Sequence, residues 1–219
     1  MNDIHRNEAE LEGLVRTPPA YSHENHGKPF YHCLLEIPRL SGQTDLLPLL
    51  LPEELHAAAV PGKRLRVHGQ FRSFNNRSGQ GSRLVLSTHV LALVPPTGEN
   101  CNRILLQGVL CKDPTYRRTP LGRSICDLML AVSRRYGRAD YLPLIAWGQL
   151  ASDLSQRRTG DPLALEGRIQ SRTYLKRTDS GTEERTAYEV SVMHLAPGDP
   201  AWEETPPLPA GKQRPSPEG

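Results

Sequence analysis

Laid over itself with a constant shift of 95 residues, the chain repeats. GKPFYHCLLEIPRLSG from Gly27 falls on GRSICDLMLAVSRRYG from Gly122, so that Leu35 meets Leu130, Ile37 meets Val132 and Gly42 meets Gly137. The match continues through TDLLPLLL and ADYLPLIA, where Asp45 meets Asp140 and Pro48 meets Pro143. Upstream, LEGLVRTPPAY (11–21) resembles LQGVLCKDPTY (106–116); downstream, LRVHGQFRS (65–73) matches LALEGRIQS (163–171) at a shift of 98. A unit of this length is a whole domain, too long for a solenoid repeat. With 219 residues, each of two copies has enough chain to bury its own core.

Both copies predict the same order of elements. A first strand (about 9–16 and 102–111) leads through a polar, Pro-containing turn into a long second strand (about 29–39 and 123–134). A third strand follows (about 44–51 and 140–147), then a short helix opening PEELHAAA in one copy and GQLASDLSQRR in the other. A Gly-marked return starts the fourth strand (about 63–74 and 162–174), and a polar hairpin (75–82 and 175–185) leads to the fifth (83–94 and 186–195). Five strands with a helix between the third and fourth is the order of an OB-fold barrel. The expectation is an all-β chain of two tandem five-stranded OB-fold barrels, 1–97 and 98–197, joined by PPTGEN. Residues 198–219, rich in proline and without periodicity, read as a disordered tail.

Charge separates the copies. Residues 1–97 carry 10 Lys/Arg and 9 Asp/Glu, residues 98–197 carry 15 and 11, and the last 22 carry 2 and 4. The second copy is the better candidate for an anionic partner. Cys33, Cys101, Cys111 and Cys126 form no CxxC pair and read as reduced thiols, Cys111 packed in a strand. The eight histidines, seven of them in the first half, are scattered and read as solvated loop residues. No metal or other cofactor is expected, and no GxxxxGK[ST] loop or nucleophile–base pattern marks an enzyme. The N-terminus has no charged-then-apolar signal pattern and no apolar run reaches membrane-spanning length, so a soluble protein with no membrane partner is expected.

Side chains alternate along a strand, so parity sorts them onto faces. In the second copy Leu142, Leu144 and Ala146 share one face, while Tyr141, Pro143, Ile145 and Trp147 share the other. Tyr174 is out of phase with Leu165 and Ile169 and stands with Arg168 and Arg172. Rings on a basic outer face suit single-stranded nucleic acid, because bases stack on aromatic faces and arginines meet phosphates. The expected stacking set is Tyr136, Tyr141, Trp147 and Tyr174. The expected phosphate contacts are Arg117, Arg118 and Arg123 in the first turn, Arg134 and Arg135 at the end of strand two, and Arg168 and Arg172 on strand four. Tyr116 and Tyr188 read as structural.

NRILLQGVLCKDPTYRRTPLGRSICDLMLAVSRRY, YLPLIAWGQLA and LALEGRIQSRTY resemble successive blocks of the bacterial single-stranded DNA-binding protein (SSB) family, over about 102–195. In that family aromatic residues stack on bases at the end of strand two, on strand three, before the helix and at the end of strand four. The resemblance places these roles on Tyr136, Tyr141, Trp147 and Tyr174. It implies a non-catalytic protein that coats single-stranded DNA in replication, recombination or repair. It also implies a cytoplasmic, nucleoid-associated location and a homodimer that brings four OB domains together.

The first copy departs from this pattern, with Ser41, Leu46 and Pro52 where the second has Tyr136, Tyr141 and Trp147. Only Phe74 stands on the polar face of its strand, in phase with Arg64, Arg66 and Arg72, as a possible auxiliary surface with the FNNRSGQGSR hairpin. The chain ends KQRPSPEG, unlike the acidic and hydrophobic tip by which family members recruit repair enzymes, so tail-mediated recruitment is not expected. Three other readings fit the residues: a primosome-like or recombination accessory protein using one barrel for protein contacts, a single-stranded RNA binder, and a scaffold with its rings buried between subunits.

Overall fold

The computed structural model describes residues 6–76, 84–178, 181–197 and 199, and for Arg135 and Thr178 it describes the backbone alone. Residues 77–83 of the FNNRSGQGSR hairpin and the tail beyond 197, Asp199 excepted, lie outside the described residues.

The first copy folds as β1 (Arg6–Val15), β2 (Ala20–Asn25), β3 (Lys28–Pro38), β4 (Thr44–Pro52), α1 (Glu53–His56), β5 (Arg64–Asn75) and β6 (Leu84–Val94). The second follows as β7 (Cys101–Leu110), β8 (Thr115–Arg118), β9 (Ser124–Ser133), β10 (Ala139–Trp147), α2 (Gly148–Leu154), β11 (Pro162–Thr178) and β12 (Gly181–Leu195). In the first copy β1 pairs with β3 and β5, β3 with β4, β5 with β6, and β4 runs parallel to β6, so the sheet closes on itself. The second copy closes identically, through β7 with β9 and β11, β9 with β10, β11 with β12, and β10 parallel to β12. These are two five-stranded OB-fold barrels, each with a short helix between its third and fourth barrel strands.

Alternation fills the interiors: Leu142, Leu144 and Ala146 of β10 are buried, as are Leu47, Leu49 and Leu51 of β4. Two glycines allow the first strand of each barrel to cross its second. A Cβ on Gly13 would collide with the Glu36 carbonyl oxygen, and one on the equivalent Gly108 with that of Ala131.

The structure corrects five local expectations. The polar turn after the first strand contains short strands, β2 and β8, that pair with β3 and β9. The expected 175–185 hairpin is mostly strand, with β11 and β12 paired from Leu165↔Leu195 out to Thr178↔Gly181. Cys111 lies past the end of β7 and is exposed, its thiol donating to the Met129 carbonyl at 3.4 Å. His23, His32, His68, His89 and His194 stand on strands, not in loops. Helix α2 ends at Leu154, before Arg157, which pairs instead with the buried Asp199 at 2.8 Å.

The barrels are joined edge to edge. β1 and β7 pair antiparallel from Arg6↔Gln107 to Glu12↔Cys101. A second pair of contacts crosses the junction in related fashion. Ser73 N–H donates to the Asp140 carboxylate at 2.8 Å, and Ser171 N–H donates to that of Asp45 at 2.7 Å. The linker is held by Glu12, whose carboxylate accepts Thr97 N–H at 3.0 Å, Thr97 hydroxyl at 2.8 Å and Gly98 N–H at 2.9 Å. Burial alone raises the Glu12 pKa, but these bonds and Arg64 outweigh it and hold the carboxyl below its usual range. Among the described residues no helix is long and apolar enough to cross a membrane.

Candidate nucleic-acid interface

A groove of about 770 Å³ runs over the second barrel. Its floor carries Ile125 of β9 and Ile145 of β10, both buried although they face outward from the barrel. Trp147, the last residue of β10, stands at this groove with 42% of its surface exposed. Its extended backbone (φ −128°, ψ 152°) caps α2, and Gly148 at φ 61° turns the chain sharply into the helix. A left-handed turn of this kind favours glycine, and here it leaves the indole on the outer face.

Arg117 and Arg172 line the same groove. The Arg117 guanidinium donates to Asp127 at 2.7 and 3.3 Å, and the hydrogen bond to Asp127 raises its pKa. Arg172 lies 5.6 Å from the centre of the half-buried Tyr174 ring, a cation–π contact, but Tyr174 itself does not line the groove. Glu189 also lines the groove; burial pushes its carboxyl pKa up, against the pull of Arg172, Arg117 and Arg39. Asp127 and Glu189 were not singled out by sequence reasoning. They face outward by parity on β9 and β12, which was the available signal.

One wall comes from the other barrel. Arg39, Gln43, Thr44 and Leu46 of the first barrel line this groove. Arg39 is fixed by Asp45 (2.7 and 2.5 Å), and its guanidinium also donates to the Ser171 carbonyl at 3.2 Å. Arg39 is the 95-residue counterpart of Arg134, so the repeat already contained this pairing.

The structure places the other expected residues elsewhere. Tyr136 is 96% exposed on a single 3₁₀ turn, Arg135–Gly137, with a left-handed backbone (φ 64°, ψ 35°). Together with Arg134 it lines a second groove, over the first barrel, and not the groove of Trp147. Tyr141, 46% exposed, sits at the junction, its N–H donating to Ser73 Oγ at 2.7 Å. Arg118 and Arg123 are exposed beside the β8–β9 turn, and Arg168 is half-buried on β11 with its Nε unpartnered among the described residues. Arg135 has no described side chain.

In the first copy Arg72 lines the second groove, while Phe74 lies under Arg134 at 5.9 Å. Arg64 and Arg66 point away from it, toward the linker and β1. Arg64 meets Glu12 at 3.7 Å and Asn100 at 3.0 Å, and Arg66 is engaged by Glu10 and Glu12. Among the described residues no cluster of three or more His, Cys, Asp or Glu could hold a metal ion.

Two closed barrels with rings and arginines on their outer faces define a tandem OB-fold protein. Residues 101–197 match the model of the single-strand binding protein family. That stretch coincides with the second barrel, from β7 to β12. The chain is 38% identical over 80 residues to a single-stranded DNA-binding protein of Clostridium tetani, a match spanning 33% of this chain and 55% of that protein. It is 36% identical over 99 residues to one of Thermus aquaticus, spanning 43% of this chain and 36% of that protein. The matched stretch thus spans about half, or less, of the length of these relatives. Its fold is shared across both barrels with the crystal structure of wild-type single-stranded DNA binding protein from Thermus aquaticus. The TM-score is 0.70 at 23% identity, covering 96% of this chain and 99% of that one.

Proposed function

We propose that this chain binds single-stranded DNA without catalysing a reaction, coating exposed strands during replication, recombination or repair. The observation that carries the reading is Trp147, a large ring kept half-exposed at an arginine-lined groove on the barrel that matches the family. A base stacked on that indole gains about 1–3 kcal/mol whatever its identity, and Arg117, Arg172 and Arg39 lie along the same groove for the phosphates. The first barrel, with Ser41, Leu46 and Pro52 at the ring positions, has a smaller stacking role. Two chains associate to bring four barrels together, in the bacterial cytoplasm at the nucleoid.

Titrating labelled oligo-dT, oligo-rU and duplex DNA tests the reading. Oligo-dT binds tightest, and its affinity falls at least tenfold between about 50 and 200 mM salt. Preference for oligo-rU makes the ligand RNA, and absence of single-strand binding makes the rings structural. The solution mass with and without a long oligonucleotide tests the pairing of chains.

A further inference from the structure

The junction between the barrels carries the same clasp twice, and the two copies are fastened differently. In one, the buried Asp45 accepts the Ser171 N–H at 2.7 Å and the Ser171 hydroxyl at 3.3 Å, and Leu46 N–H donates to Ser171 Oγ at 3.1 Å. Arg39 closes it, donating to both Asp45 oxygens and to the Ser171 carbonyl at 3.2 Å. In the other, the buried Asp140 accepts the Ser73 N–H at 2.8 Å, and Tyr141 N–H donates to Ser73 Oγ at 2.7 Å. Arg134 does not close this one. Its Nε stands 3.4 Å from Asp140 Oδ2, and neither atom has a hydrogen-bond partner among the described residues.

Two differences between the copies account for this. Ser73 is followed by Phe74 where Ser171 is followed by Arg172, and preceded by Arg72 where Ser171 is preceded by Gln170. The Phe74 ring draws the Arg134 guanidinium to 5.9 Å from its centre. Arg72 donates to Gln70 at 2.6 and 3.2 Å, and its charge opposes that of Arg134: burial first, and then Arg134, lower its pKa. In the other copy the neighbour is a neutral glutamine, and the hydrogen bond to Asp45 raises the pKa of Arg39. Burial pushes the Asp140 carboxyl pKa up, against the Ser73 bond and the two arginines. A buried carboxylate with one oxygen unsatisfied is a weak fastening, because nothing offsets the desolvation of that oxygen.

What the weaker clasp holds down is the turn between β9 and β10. That turn is closed on itself, Arg134 N–H donating to the Arg138 carbonyl at 2.7 Å, as Arg39 N–H donates to the Gln43 carbonyl in the other copy. It can lift from β5 without coming apart. We propose that Asp140 and Ser73 form a latch that opens while Asp45 and Ser171 stay shut, so that the turn bearing Tyr136 swings away from the first barrel. The two grooves then differ in rigidity. Arg39 keeps the first-barrel wall of the Trp147 groove fixed to Ser171. The second groove, of about 1050 Å³, widens and narrows between Arg72 on one side and Arg134 and Arg138 on the other. The latch is a property of the chain alone and rests on no ligand.

Amide hydrogen exchange of the full chain, resolved residue by residue by NMR, tests it. Protection factors of the Ser73 and Tyr141 amides are at least about tenfold lower than those of their counterparts Ser171 and Leu46, the weight of one charge-assisted hydrogen bond. The paired variant Arg72→Gln, Phe74→Leu gives Asp140 the neutral neighbour that Asp45 has and removes the competing ring. Arg134 then engages Asp140, and protection at Ser73 and Tyr141 rises about tenfold while that at Ser171 and Leu46 stays within about twofold. Equal protection of the two pairs in the parent protein overturns the inference. So does a folded paired variant in which protection at Ser73 and Tyr141 is unchanged or lower, because Phe74 would then be what holds the turn down. The comparison within the parent protein decides the question even if the variant does not fold.

Discussion

Ser73 and Asp140 are joined across the two barrels, the Ser73 N–H donating to the Asp140 carboxylate at 2.8 Å. The counterpart pair, Ser171 and Asp45, repeats the bond at 2.7 Å. The arginines that attend the two carboxylates behave differently. Arg39 grips Asp45 with two hydrogen bonds, whereas Arg134 reaches only to 3.4 Å from Asp140 and leans over Phe74.

This difference predicts unequal costs of substitution. Asp45→Ala strands a mostly buried guanidinium and costs about 3–5 kcal/mol. Asp140→Ala mainly deprives the Ser73 N–H of its acceptor and costs about 1–3 kcal/mol. Urea unfolding of the two variants measures the gap.

His89 makes stability depend on pH. Burial, followed by the charges of Arg72, Arg134 and His23, pushes its pKa down to about 4. An unfolded histidine takes up its proton near 6.5. As pH falls from about 6.5 toward 4 the unfolded chain therefore binds a proton that the folded chain refuses, and stability drops across that window. Thermal unfolding from pH 7.5 to 5, above the range where most carboxylates titrate, shows this slope in the parent protein, and His89→Gln reduces it.

Tyr136 trades stability for exposure of its ring. A tyrosine in left-handed backbone costs about 1 kcal/mol that glycine avoids. Tyr136→Gly unfolds at the same temperature as the parent or up to a few degrees higher, while binding long oligo-dT about tenfold more weakly. A fall in thermal stability would assign the ring a packing role instead.

Glu189 opposes an anionic ligand in the Trp147 groove. With its carboxyl pKa raised by burial, it protonates more readily than an ordinary glutamate as pH falls. Oligo-dT affinity at constant salt therefore rises as pH drops toward the usual carboxylate range. Glu189→Gln tightens binding several-fold at neutral pH, by removing one repulsive charge of order 1 kcal/mol, and flattens the pH dependence.

The barrels were legible because period-two alternation and the 95-residue repeat both encode them. Leu142, Leu144 and Ala146 are in the core and Trp147 is outside, as parity requires. Strands β2 and β8 were not legible, since every one of their residues is exposed and no apolar alternation marks them. The outer β11–β12 hairpin was missed for the same reason, its Lys, Arg, Glu and Thr residues carrying no inward face. Tyr136 and Trp147 stand at opposite ends of β10, but that Tyr136 meets the first barrel depends on how β1 pairs with β7, a long-range register that no local pattern specifies. The role of Arg39 in the second barrel's groove has the same origin.

The most direct test of the account is the affinity of Trp147→Ala for labelled oligo-dT at low salt, measured beside the parent protein. Trp147 is half-exposed, so the variant should unfold at nearly the parent's temperature. The account predicts affinity at least tenfold weaker, in line with about 1–3 kcal/mol for one stacked base. Unchanged affinity in a folded variant would contradict it, and would make the indole part of the barrel's packing instead of its binding surface.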